Sequence, residues 1–264
     1  MVNPIIEMSE IEYAFRKQPI LNKINLKVKR KEILGIIGPN GSGKTTIFNI
    51  LSGLIKPIKG DIYINGTNIS SLSITQRSKL LAAAPQNTIF PEDISVFELT
   101  TMGRNPYLKL LSWESSYDNE LAIQSIDRVG LLELASKKLK HISGGEKQLA
   151  LIAMVLCQET PIILLDEPTS NLDIKNQLHI MDTITAIRES SNKTILINLH
   201  DLNLATKYCD KIIFLKNGTV FDQGIPNQVI TSENIQSVYG IAANVIEDPS
   251  SRHPIVQPIS KILE

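Results

Sequence analysis

The run Gly38-Pro39-Asn40-Gly41-Ser42-Gly43-Lys44-Thr45, followed by Thr46, constrains this chain more than any other stretch. It fits G-x-x-x-x-G-K-[ST], the spacing of a phosphate-binding loop. Gly38, Gly41 and Gly43 permit backbone conformations that a Cβ would forbid, so successive N–H groups can turn inward around an anion. Lys44 brings a mobile positive charge to the β- and γ-phosphates, and the Thr45 hydroxyl can ligate Mg²⁺. A helix beginning near Lys44 adds its positive dipole end. The flanks agree: residues 32–37 read as a buried strand, and residues 45–51 as a helix that stops near Gly53. Strand, glycine loop, helix is the order this chemistry requires. Alone, the loop identifies only a protein that handles a nucleoside triphosphate.

The remaining pattern reads as α/β with two additions. Residues 5–15 and 21–28 read as strands, and in the second Ile24, Leu26 and Val28 alternate with Asn25 and Lys27, the period of a half-buried antiparallel strand. Residues 61–64 with Asn65-Gly66 give a strand and a turn. Residues 80–84 form a short apolar piece. Ser95-Val96-Phe97-Glu98 is a capping-box start for a helix reaching about Met102. Residues 114–129 read as a longer helix, with Leu121, Ile123, Ile126 and Val129 as its buried positions. Residues 86–142 are therefore expected to form a mostly helical insertion.

Alternation then resumes. A helix over 146–158 leads to a fully apolar strand, 161–165, of the parallel, doubly covered kind. A helix over 173–189, a strand over 194–199, a helix over 201–208 and a hairpin at Asn217-Gly218 follow. Beyond Pro226 the reading gives short helices and a polar, proline-containing tail. The expected boundaries are 1–85 for the first part of the nucleotide-binding core, 86–142 for the helical insertion, 143–225 for the second part of the core, and 226–264 for a short C-terminal helical tail.

Two further groups of residues carry chemistry. Asp166-Glu167 ends the apolar strand, and in open α/β sheets the C-terminal strand ends carry the ligand site. Asp166 would hold Mg²⁺ through water, and Glu167 would be the general base that deprotonates an attacking water. Ser143-Gly144-Gly145 opens the helix that leads to that strand, and its exposed N–H groups with the Ser143 hydroxyl make a second anion site.

Composition narrows the partners. Lys+Arg and Asp+Glu are 27 each, so no global basic field points to nucleic acid. The longest uncharged apolar run, residues 149–157, falls far short of the ~20 residues of a spanning helix. The N-terminus lacks a basic region followed by an apolar core, so no signal peptide is expected. Cys157 and Cys209 are too few for a disulfide scaffold or a metal cluster, which fits a reducing location.

The phosphate loop, Gln86 at the start of the helical insertion, Ile142-Ser143-Gly144-Gly145-Glu146, Leu164-Leu165-Asp166-Glu167-Pro168, Ser170-Asn171-Leu172-Asp173 and His200 occur in one order. Together they resemble the nucleotide-binding subunit of an ATP-binding-cassette (ABC) transporter, over residues 5–222. The resemblance implies a RecA-like P-loop NTPase core with an antiparallel β subdomain and an inserted α-helical subdomain. It implies ATP as substrate, Mg²⁺ as cofactor, and head-to-tail homodimers closing on two ATP molecules. Residue by residue, Phe15 matches the aromatic that stacks on adenine, with Tyr13 the other candidate. Gln86 would contact Mg²⁺ and the lytic water, Ser143 and Gly145 the γ-phosphate bound to the opposite copy, Asp173 the dimer seam, and His200 the γ-phosphate.

Met102-Gly103-Arg104-Asn105-Pro106-Tyr107, residues 200–205 and residues 224–240 are similar to importers of ferric siderophores, haem and cobalamin. That similarity implies two permease subunits, an extracytoplasmic substrate-binding protein, and a place on the cytoplasmic face of the cell membrane. Molybdate importers share much of the pattern. Where Lys31, Ile142 and Met154 stand, the family usually has Gly, Leu and Arg.

Overall fold

The computed structural model describes residues 3–86, 88, 91–108 and 114–261; Met1 and Val2, read above for a targeting signal, lie outside them. In chain order the elements begin with β1 (Ile6–Phe15), β2 (Gln18–Val28), β3 (Ile33–Ile37), α1 (Lys44–Ser52), β4 (Lys59–Ile64) and β5 (Thr67–Asn68). Next come α2 (Ile74–Ser78), β6 (Leu81–Ala84), α3 (Val96–Thr101), α4 (Ser116–Arg128), α5 (Gly144–Cys157), β7 (Ile162–Asp166) and α6 (Ile174–Ser191). The chain finishes with β8 (Thr194–Asn198), α7 (Leu202–Tyr208), β9 (Lys211–Lys216), β10 (Thr219–Gly224), α8 (Pro226–Val229), α9 (Ser232–Tyr239), β11 (Ile241–Glu247) and β12 (Pro254–Lys261). These elements fall into two compact units, one running to Ser71 and resuming at Thr194, the other Leu72–Lys193.

The first unit holds the phosphate loop. Its antiparallel sheet has the order β2-β1-β4-β5, and strands β10-β9-β3-β8 stand side by side in a second, mostly parallel sheet. β3 is parallel to both β8 and β9, with Ile36 opposite Asn198 on one side and Ile213 on the other. Every residue of β3 and of β8 is buried. That explains their continuous apolar sequence: a parallel strand covered on both faces has no polar side to present. The unit is of the α/β class with a largely parallel sheet, as the sequence pattern predicts and as the P-loop NTPase core implied by the resemblance requires.

In the second unit β6 and β7 pair in parallel, Ala84 opposite Leu165. α5 carries nine buried residues and forms the centre of the helical layer, packed by α3 and α4. Arg104, just past α3, ties this layer together. Only 3% exposed, it donates from Nε to Asp118 at 2.8 Å, and from an Nη to the Cys157 carbonyl at 2.8 Å and Glu159 at 3.0 Å. Its guanidinium also lies 4.1 Å from the Tyr107 ring centroid. A buried arginine is tolerated because its donors are matched to a carboxylate, a carbonyl and an aromatic face.

Two expectations need correction, and one element escaped the sequence reading. Ile123 is not a buried position of α4: it is 40% exposed, whereas Asp118, Ala122, Ser125 and Ile126 are buried. The buried stripe runs through polar Asp118 and Ser125 because Asp118 is Arg104's partner, so hydrophobicity alone points the helix the wrong way. The unread element is α2, a single turn with a Ser73/Gln76 capping box and no buried residue. Residues past 240 form a β-hairpin, not a helical tail: β11 and β12 pair antiparallel from Ile241↔Lys261 to Glu247↔Pro254. Pro254 and Pro258 argue against a strand, yet β12 pairs on one side only, where proline is allowed. On its other edge Val256 accepts from Asn203 Nδ2 at 3.2 Å and donates its N–H to Asn203 Oδ1 at 2.8 Å.

Among the described residues no helix is long and apolar enough to cross a membrane.

Candidate functional site

The phosphate loop follows the buried end of β3 and feeds directly into α1. Gly38 has φ +154°, and a Cβ there would sit 2.2 Å from the Leu215 carbonyl oxygen, so glycine is required by the strand crowding it from behind. Gly41 and Gly43 also have positive φ, 78° and 104°. Lys44 is only 5% exposed, and its Nζ donates to the carbonyls of Gly38 at 2.7 Å and Pro39 at 3.1 Å. Asn40, Gly41 and Thr45 are exposed, Pro39 and Thr46 half-buried. The Ser42 hydroxyl is buried without a hydrogen-bond partner of normal geometry in the protein. An ammonium held by carbonyls, an unsatisfied hydroxyl and a glycine cradle are what a phosphate ligand would complete, so these residues fit the predicted ATP.

His200 belongs to the same unit. Leu199 N donates to Ile36 O at 3.2 Å, which sets the end of β8 beside the end of β3, and His200 follows, exposed. Phe15, at the end of β1, is 54% exposed with the Arg16 guanidinium 5.3 Å from its ring centroid. An exposed aromatic face is available for stacking.

The second unit holds the other residues. Asp166 ends β7 and is 4% exposed; Glu167 follows it, half-buried, with φ +53°. The β6–β7 register carries Gln86 alongside Glu167, and Gln86 Nε2 donates to the Glu167 carboxylate. The carboxylate is thus held by a side chain to which the family resemblance gives Mg²⁺ and the lytic water as partners. Glu167 is turned by local geometry as well: its carbonyl accepts from the Ser170 N–H at 3.2 Å and hydroxyl at 3.0 Å.

Ser143 is the N-cap of α5. Its hydroxyl accepts from Glu146 N at 3.3 Å, and Glu146 accepts from Ser143 N at 2.6 Å. The Ser143 N–H, then its hydroxyl, hold the Glu146 carboxyl below its usual pKa. Capping occupies one lone pair of the Ser143 hydroxyl, and its proton serves the Glu146 carboxylate. Asp173 caps α6, accepting from Asn176 N at 2.8 Å and Nδ2 at 2.9 Å. The same Asn176 side chain lies close against Gly145. A cavity of about 710 Å³ opens beside Ser143 and Gly145, lined also by Leu131, Leu149, Lys175 and His179. The sequence carried no sign of Asn176, Lys175 or His179, because their relation to Ser143 arises from packing of α6 on α5.

Residues 21–170 match the family model for the ABC transporter. The ferric enterobactin transport ATP-binding protein FepC of Escherichia coli is 33% identical over 252 residues, covering 96% of this chain and 93% of its own. The petrobactin import ATP-binding protein FpuD of Bacillus anthracis is 34% identical, covering 97% and 94%. A solved inward-facing transporter described as of the metal-chelate type aligns at TM-score 0.86 with 26% identity, over 97% of this chain and 98% of that one. A dimeric ATP-binding cassette, MJ0796, solved with ADP and Pi, aligns at TM-score 0.72 with 28% identity, over 83% and 98%. With its phosphate loop, its Asp166-Glu167 strand end and its second glycine site, the chain belongs to the ABC transporter family, as one of its ATP-hydrolysing subunits.

Proposed function

We propose that two copies of this chain bind two ATP molecules head to tail and drive import of a metal-containing solute, such as a ferric siderophore, haem or cobalamin. The observation that carries this reading is the end-to-end match, C-terminal segment included, to ATP-binding subunits of ferric enterobactin and petrobactin systems. The dimeric relative solved with ADP and Pi supports the paired arrangement. The partners are a second copy, two permease subunits, and through them an extracytoplasmic binding protein; nucleic acid is not among them. The site of action is the cytoplasmic face of the membrane.

In this reading the N–H groups of residues 38–46 cradle the phosphates and Lys44 leaves its carbonyl partners for the β- and γ-phosphates. Phe15 stacks on adenine. Thr45, Asp166 and Gln86 are the residues that would hold Mg²⁺, and the ion would supply neutralisation of the phosphate charge. Among the described residues no cluster of three or more His, Cys, Asp or Glu could hold a metal ion alone. Glu167 takes the proton of the attacking water, aimed by Gln86, and His200 donates to the γ-phosphate. Ser143, Gly144 and Gly145 serve the γ-phosphate of the opposite copy, with Asp173 at the seam; the cavity beside them is of the size that small-molecule sites have.

The test is Glu167→Gln. Loss of the base should slow turnover by about 100-fold or more while ATP binding persists, so that a closed dimer accumulates on size-exclusion chromatography with ATP. Near-normal turnover would remove Glu167 as base. For the solute, deleting the gene should abolish uptake of radiolabelled iron delivered as ferric siderophore or haem, or of cobalamin. Loss of molybdate uptake alone would redirect the assignment.

A further inference from the structure

Tyr239 ends α9, in a segment to which the proposed function gives no role. Its ring meets the Phe214 ring edge-on, with centroids 6.3 Å apart and planes at 73°. Phe214 lies opposite Ile37, the last residue of β3 before the phosphate loop. The Tyr239 hydroxyl is buried without a hydrogen bond of normal geometry, and the backbone N–H of Gly38 bears on it. Burial pushes the phenol's pKa well above its ordinary value and that N–H opposes the shift, so the hydroxyl stays protonated and neutral. α9 cannot easily drift from this place. Lys216 Nζ donates to Ser237 O at 2.6 Å, and Asn234 Nδ2 donates to Asp222 at 2.8 Å and to Val229 O at 2.9 Å.

Gly38 is the joint between two peptide planes. Its N–H belongs to one, and the carbonyl that holds Lys44 Nζ at 2.7 Å belongs to the other. Glycine offers little torsional restraint of its own, so an acceptor on the N–H side narrows where the carbonyl can point. Ser42 Oγ, the other unsatisfied hydroxyl of this region, lies 2.9 Å from where a Cβ on Gly38 would be. Two buried hydroxyls therefore bracket one glycine. Unmade hydrogen bonds of this kind are costly, and a ligand-bound loop that completes them is favoured by the difference.

We propose that Tyr239 is a positioning residue for the phosphate loop: its hydroxyl is a preplaced acceptor for the Gly38 N–H and thereby sets where the Lys44 ammonium meets the nucleotide. The inference rests on ATP being the ligand of residues 38–46, and extends the nucleotide site to the C-terminal segment.

Tyr239→Phe is the test, because it keeps the ring on Phe214 and removes only the oxygen. A fluorescent ATP analogue titrated into wild type and variant, with steady-state ATPase assays, should show Kd and KM raised about threefold to tenfold, the worth of one hydrogen bond. The kcat should be unchanged, since a group that aids ground state and transition state alike moves KM only. Wild-type Kd and KM in the variant would overturn the proposal. So would a lower ligand-free melting temperature with unchanged Kd and KM, the mark of a packing role alone. Failure of the wild-type protein to bind the analogue would instead overturn the nucleotide assignment on which the proposal stands.

Discussion

Replacing Arg104 by Met tests how the helical layer is held. Methionine fills much of the same volume, so the change removes charge and donors more than packing. Three hydrogen bonds vanish. Glu159, with its side chain 42% exposed, returns to water at little cost. The Cys157 carbonyl and Asp118 Oδ1 lose a buried donor, while Asp118 Oδ2 keeps the Ser115 hydroxyl at 2.7 Å and N–H at 3.0 Å. Removing one partner of a buried ion pair costs about 3–5 kcal/mol; because Ser115 still serves Asp118, about 3 kcal/mol is expected here. The loss should depend on pH. The Ser115 hydroxyl is the largest influence on the Asp118 carboxyl, burial opposes it, and the Ser115 N–H and Arg104 act with it, so the pKa lies below its ordinary value. A lowered folded pKa means that ionised Asp118 stabilises the fold above its unfolded pKa, and that this contribution fades as pH falls through the lowered value. Without Arg104 the carboxyl titrates at higher pH, so the deficit is full at neutral pH and shrinks in acid. Urea unfolding followed by circular dichroism at neutral and acid pH measures both effects. Adding Asp118→Asn to Arg104→Met should recover part of the loss by removing the stranded charge. A loss below about 1 kcal/mol, or a double variant no more stable than the single one, would refute the reasoning.

Ser143→Ala should lower stability by about 1 kcal/mol through loss of the α5 cap, leave ATP binding by a single copy intact, and abolish ATP-dependent dimerisation on light scattering; lost binding by the single copy would place Ser143 in the wrong site. Both thiols should be inert in the native protein, since burial pushes Cys157 up to about 11 and Cys209 higher still. Treatment with a thiol-reactive dye near pH 8 should label neither until denaturant is added, and rapid native labelling would contradict the packing of either residue.

The parts of this molecule that were legible in the sequence are those whose chemistry is local. The β3–loop–α1 unit, the Asp166-Glu167 strand end and the capping box at Ser95 each declare themselves within about ten residues, because their hydrogen bonds close over short spans. The failures share a different cause. The buried face of α4 is set by Arg104, fourteen positions before Asp118 and in another element. The C-terminal hairpin hides behind its prolines. Lys31 stands where the family usually has glycine and adopts φ +63°, a left-handed conformation that its side chain tolerates at a cost; its N–H donates to Thr194 Oγ1 at 2.9 Å, an anchor 163 residues away. The aiming of Glu167 by Gln86 follows from a strand register that no spacing rule encodes.

The outer edge of β12 has a consequence for how copies of this chain live at high local concentration. Pro254, Val256 and Pro258 share one phase of the strand, the phase whose backbone faces away from β11. Two of those positions have no N–H to offer, and the third is bound at both its N–H and C=O by Asn203. An exposed strand edge is ordinarily an invitation to cross-chain pairing. Here two of the three N–H groups that a foreign strand would need are missing and the third is engaged by Asn203, so this edge offers a neighbouring strand acceptors but no free donor at those positions. The same prolines that hide the strand from a reader of the sequence also hide it from other strands.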